Sequence, residues 1–118
     1  MNVREAIMAF AQSEKIKSGL IWASNGIELM GGLSMPEKLG AENVVRGLIN
    51  MVFHEVSVSK NVAQDKIWPE VEKNMEQALV MLNSGVASES LVHLTQALSK
   101  VTSIGHRSMT FLKDEGLL

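Results

Sequence analysis

The chain has no cysteine. Disulfides, thiolate catalysis and cysteine-ligated zinc are therefore excluded. A cysteine-free chain also suits a reducing compartment, and the expected location is cytoplasmic. Aromatic residues are few: three Phe, two Trp and no Tyr in 118 residues. The rings on which single-strand binders stack bases are accordingly scarce. No run of like charge occurs, and 11 Lys plus Arg stand against 13 Asp plus Glu, a formal net charge of −2. A basic patch that would neutralise phosphates is missing, so nucleic acid is not an expected partner. No apolar stretch approaches the length of a membrane span, and no h-region with a small-residue cleavage site follows Met1. A membrane partner and a secretory leader are not expected.

Motifs of chemistry are missing too. There is no Gly-x-Ser-x-Gly elbow, no Gly-rich phosphate loop and no Gly-Lys-Ser/Thr. Carboxylate-bridged di-metal bundles need paired Glu-x-x-His motifs, and none occurs. Glu89 and His93 stand four apart, but one pair falls short of the three or four ligands a zinc site needs. Neither a metal nor a cofactor is expected, and no catalytic residue is assigned. Repeats of solenoid period and low-complexity segments are absent.

Helical periodicity is what the chain has. Hydrophobic residues make up 46% and charged residues 20%, the balance of a folded domain, and 118 residues suit one domain spanning 1–118. Eight Met are many for this length; they fill irregular core gaps or line adaptable binding surfaces.

Four amphipathic segments follow from the spacing. The first runs from about Asn2 to Met30, with one stripe at Val3, Ile7 and Phe10 and another at Ile16, Leu20, Ala23, Ile27 and Met30. Gln12–Lys15 lie between the stripes and predict one long helix with a register slip or slight bend, or a helix preceded by a shorter one. Gly19 and Gly26 are seven apart, share a face and allow another helix to approach closely. Gly31 and Gly32 end the segment. Ser34-Met35-Pro36-Glu37 reads as a capping box with proline in the first turn, opening a one-turn helix that Gly40 stops.

A second long helix is expected from Ala41 or Glu42. Its polar face is Arg46, Asn50, His54, Ser57 and Asn61, and apolar residues from Val44 to Val58 fill an arc of roughly 220°. The third helix is capped by Asp65, or the second continues to Ile67 and turns at Trp68-Pro69. Trp68, Val71, Met75, Ala78, Leu79 and Leu82 then share one face, and Asn83-Ser84-Gly85 ends it. Ser88 is expected to cap the fourth helix, with Glu89 at the positive end of its dipole. Leu91, Leu94, Leu98, Val101, Gly105, Ser108 and Leu112 form its stripe. Gly105 and Ser108 leave room there for Trp22, Trp68 or a methionine. These segments and their short connections predict an all-α fold: a four-helix up-and-down antiparallel bundle with a one-turn helix in the first connection.

Three polar residues stand out. His54 opens the dipeptide His54-Glu55 on the polar face of the second helix, and His93 borders the apolar stripe of the fourth. Either is a candidate for histidine phosphotransfer. The residues after His54-Glu55 (Val56-Ser57-Val58-Ser59-Lys60) do not continue the Arg-Thr-Pro-Leu pattern of two-component kinases, nor do Leu94-Thr95-Gln96-Ala97 supply the Lys and Gly of phosphotransfer domains. Glu55 projects into an apolar arc and needs a partner or a raised pKa; Lys17, at the break in the first stripe, is the partner considered. His106 reads as a solvated side chain.

The surplus of apolar surface on the second helix points to a subunit interface through Val45, Leu48, Ile49, Val52, Phe53 and Val56. The expected function is a non-enzymatic protein–protein interaction module (adaptor, regulatory partner or chaperone-like), homodimeric and open to a further protein partner. The alternatives are the phosphotransfer module and a small-ligand-binding bundle with a Met- and Trp-lined pocket.

Overall fold

In the computed structural model, which describes residues 1–63 and 65–118, the periodic segments become four helices and no strand. They are α1 (Val3–Met30), α2 (Met35–Val62), α3 (Trp68–Asn83) and α4 (Ala87–Asp114). The described residues pack as a helical bundle: each helix contacts its sequence neighbours, α1 also contacts α4, and no contact crosses either diagonal.

The first helix starts where Asn2 caps it. Its side-chain oxygen accepts the Glu5 N–H at 2.8 Å, and its amide donates to Glu5 Oε1 at 2.8 Å. The two apolar stripes lie on one continuous helix, α1. Two of the polar residues between the stripes, Gln12 and Ser13, face other helices. Ser13 is buried against Gly105 of α4 and donates its hydroxyl to the Phe10 carbonyl at 2.9 Å. Gln12 donates to Glu55 and Ser59 of α2. The apparent register slip is the place where α1 exchanges apolar for polar contact.

The one-turn helix expected over Ser34–Gly40 is the first turn of α2, which runs on through Gly40. A glycine weakens a helix by about 1 kcal/mol yet removes no hydrogen bond, so packing farther along α2 carries the backbone through it. Ser34 holds the N-cap position, but its side chain makes no capping bond.

At the next turn, Val62 ends α2, short of Ile67. The N-cap of α3 is Ile67, which places Pro69 in the first turn. Asp65 acts two residues earlier than a cap, accepting the Ile67 N–H at 2.9 Å. Trp68 is fully buried, and its indole N–H donates to the Ala63 carbonyl at 2.8 Å.

The α3–α4 turn closes on Gly85, at φ +80°. Val86 N–H donates to the Met81 carbonyl and Gly85 N–H to that of Leu82, the double bond pattern that needs a left-handed residue. Val86, not Ser88, is the N-cap of α4.

The core is aliphatic with one indole in it: Ile16, Leu20, Ile49, Val56, Val71, Met75, Leu82, Leu94, Val101 and Ile104 are buried along its length, together with Trp68. Neither tryptophan occupies the space at Gly105; Ser13 does. Met30 and Met75 alone among the methionines are buried, whereas Met35 and Met51 are exposed.

Candidate functional site

The α1–α2 seam is set by two glycines. A Cβ on Gly19 would lie 2.5 Å from Val52 Cγ2, and one on Gly26 would lie 3.1 Å from Val45 Cγ2. The close approach expected at these glycines is made, and the helix that makes it is α2.

Four of the six residues expected at a subunit interface are consumed in this way. Val45, Ile49, Val52 and Val56 lie in the chain's own core, and Leu48 and Phe53 are half-buried. The wide apolar arc of α2 arises because it contacts α1 on one side and α3 on the other. An amphipathic pattern cannot distinguish two neighbours in one chain from one neighbour plus a second subunit.

An apolar groove nevertheless remains on the outside of the seam. It is a cleft of about 160 Å³ lined by Ile16, Gly19, Trp22, Leu48, Met51 and Val52, with Lys15 and Glu55 at one end. Its large side chains are exposed: Trp22 63% and Met51 67%. Leu29 and Val44, each seven residues from those two and so on the same faces, are 75% and 73% exposed. Gly47 is open as well: an added Cβ there would meet nothing within 4 Å. The exposed apolar residues Trp22, Leu29, Val44 and Met51 lie outside the set the sequence offered for an interface, which follows the strongest period of α2. Their deviation from the core stripe was the available signal.

Glu55 is not a stranded carboxylate. Gln12 Nε2 donates to Glu55 Oε2 at 3.2 Å, and Lys15 Nζ lies 3.1 Å from Glu55 Oε1. The partner is Lys15, not Lys17, which pairs with Glu14 at 3.1 Å. The Gln12 hydrogen bond, then Lys15, holds the Glu55 carboxyl below its ordinary pKa, outweighing the opposing effect of partial burial.

The buried hydroxyls are occupied as well. Ser59 donates to the Glu55 carbonyl, Ser90 to that of Ala78 and Ser108 to that of Ile104. On the α3–α4 side, Lys100 donates to Asn74 at 2.7 Å and Asn74 to Gln96 at 3.1 Å.

The histidines lie apart. His54 is exposed on α2 next to Glu55, and His106 is exposed on α4. His93 is half-buried, and its Nδ1 is enclosed without a hydrogen-bond partner. Among the described residues, no three His, Asp or Glu side chains gather as a metal site, and no helix is long and apolar enough to cross a membrane. The two tryptophans do not line a common pocket, since Trp68 is in the core and Trp22 on the surface.

No family model matches the chain, and neither a curated protein nor a solved structure matches it.

Proposed function

We propose that this chain is a non-enzymatic protein–protein interaction module, an up-and-down antiparallel four-helix bundle that works as a homodimer in the cytoplasm. The observation that carries the reading is the exposed apolar groove of Trp22, Leu48 and Met51, extended by Leu29 and Val44. An aromatic and a methionine among apolar residues, with the charged pair Lys15 and Glu55 only at one end, are the composition of an interface core and its rim. Trp is also the residue most often found to dominate binding energy.

Two further observations support the reading. Facing residues run in opposite sequence order along neighbouring helices, as the antiparallel topology requires: Gly19 meets Val52 and Gly26 meets Val45, while Asn74 meets Lys100 and Ala78 meets Ser90. In addition, the buried serines donate to backbone carbonyls, which leaves them no role as activated nucleophiles.

The test is the solution mass of the full chain, by size exclusion with light scattering over a wide concentration range. A dimer is expected. A monomer at every concentration overturns the homodimer.

A further inference from the structure

We propose that the occupant of the α1–α2 groove is a second copy of this chain, docked about a two-fold axis parallel to the helices. The proposal rests on the homodimer reading and deepens it by assigning the face and the orientation.

Level along the seam is fixed by the glycine contacts. Gly19 stands opposite Val52 and Gly26 opposite Val45, while Lys15 reaches Glu55. Lys15 and Glu55 are therefore at one level, and Trp22 is at the level of the α2 turn that carries Leu48. An axis parallel to the helices preserves level and lays α1 of each copy over α2 of the other. Lys15 then meets the partner's Glu55, and Glu55 meets the partner's Lys15, so the single charged pair at the end of the groove complements itself. Trp22 meets the partner's Gly47, Leu48 and Met51. Gly47 lacks any neighbour within 4 Å of an added Cβ, so the backbone there is open to the large ring. An axis across the helices at the level of Trp22, the middle of the groove, fails both tests: it sets Trp22 on the partner's Trp22 and places the Lys15 charge at the level of the partner's exposed Leu29.

The area suffices. In the register set by Gly19–Val52 and Gly26–Val45, α1 and α2 lie side by side over about 22 residues, a face about 33 Å long and about 20 Å wide. That is about 660 Å² for each partner, within the lower range of a standard-size dimer. The use of glycine is also consistent within the chain, since α1 already receives α2 at Gly19 and Gly26, whereas Gly40 and Gly47, likewise seven apart, meet nothing.

The experiment is a charge-swap mixture. Lys15→Glu and Glu55→Lys each put like charges at every Lys15–Glu55 contact, and each is expected to weaken dimerisation about tenfold. In the equimolar mixture, a Lys15→Glu copy facing a Glu55→Lys copy has opposite charges at both intersubunit contacts. Recovery of dimer in the mixture, above either variant alone, is the expected result. Trp22 emission should shift to the blue as dimer forms, while that of Trp68, buried in either state, stays put. Should a charge variant fail to fold by circular dichroism, Met51→Lys takes its place and is expected to give a folded monomer. A wild-type dimer with no recovery in the mixture, or one that persists in Met51→Lys, overturns this face and leaves the homodimer standing. A wild-type monomer overturns both.

Discussion

Val52 rests directly on Gly19, its Cγ2 2.5 Å from the point a Cβ would occupy. Real Cβ atoms do not approach so closely, so Gly19→Ala forces α1 and α2 apart or drives Val52 off its rotamer. Overpacking of this kind costs about 1–3 kcal/mol, against about 1 kcal/mol gained in helix propensity. Gly19→Ala should lower stability in urea unfolding, and Gly47→Ala, with free space, should raise it by about 0.5–1 kcal/mol. Gly26→Ala, at 3.1 Å, should fall between the two. Adding Val52→Ala to Gly19→Ala should cost less than the sum of the single changes, because the second removes the clash made by the first. Additivity would mean that the two residues do not share this contact.

A second seam uses the same device with a polar knob. Ser13 Oγ lies 2.8 Å from the position of a Cβ on Gly105, and its hydroxyl is tied to the Phe10 carbonyl. Gly105→Ala should therefore destabilise by about 1–3 kcal/mol. In a Ser13→Gly background the same change should cost much less, since the obstructing side chain is gone. Thermal unfolding of the four proteins of this cycle checks it, and an unchanged cost in the Ser13→Gly background would remove Ser13 as the cause.

These seams explain which parts of the fold could be read from the residues. Stripes such as Leu94, Val101 and Leu112 identify a helix and its buried face because burial follows the period directly. The spacing of Gly19 and Gly26 likewise announced a close helix. Partner choice is different, because it depends on rotation about two helix axes at once. Lys15 and Lys17 are two residues apart, about 200° around the helix, and only packing decides which one reaches Glu55. Caps were misread for a related reason. Ser34 and Ser88 are the right residue types, yet Ser34 makes no side-chain capping bond, and Ser88 is the second residue of a helix whose N-cap, Val86, directly follows the Gly85 turn. Trp68 lies on the apolar stripe of α3 and is buried, whereas Trp22 lies off the stripe of α1 and is exposed.

Acid should weaken the α1–α2 contact through Glu55. Gln12 and Lys15 hold its carboxyl below the ordinary value of 4.5 in the folded chain. A lowered folded pKa means the contribution to stability is complete above the ordinary value. It disappears as pH falls through the lower, folded one. Glu55→Gln should therefore be less stable than the wild type at neutral pH, with the gap closing as pH falls below 4.5. Urea unfolding at several pH values, at one low protein concentration, reads this gap. A gap that stays constant with pH would assign the loss to packing instead of charge.

Trp68 ties the joint between α2 and α3. Its indole N–H is the donor for the Ala63 carbonyl, both residues are buried, and Arg107 of α4 holds the same turn through Asp65 at 3.0 Å. Trp68→Phe keeps an aromatic ring but leaves the carbonyl unpaired and opens space beside it, at a cost of about 2–3 kcal/mol. Trp22→Phe, on the exposed face, should change monomer stability by no more than about 0.5 kcal/mol. The contrast separates the two indoles by their work: one fixes the turn that folds α3 back onto α2, and the other is free for a partner. Hydrogen exchange should locate the loss in Trp68→Phe, with amides of the first turn of α3 exchanging faster and those of α1 near Trp22 unchanged. Uniformly faster exchange along all four helices would instead mean that Trp68 stabilises the whole core equally and that the joint has no separate role.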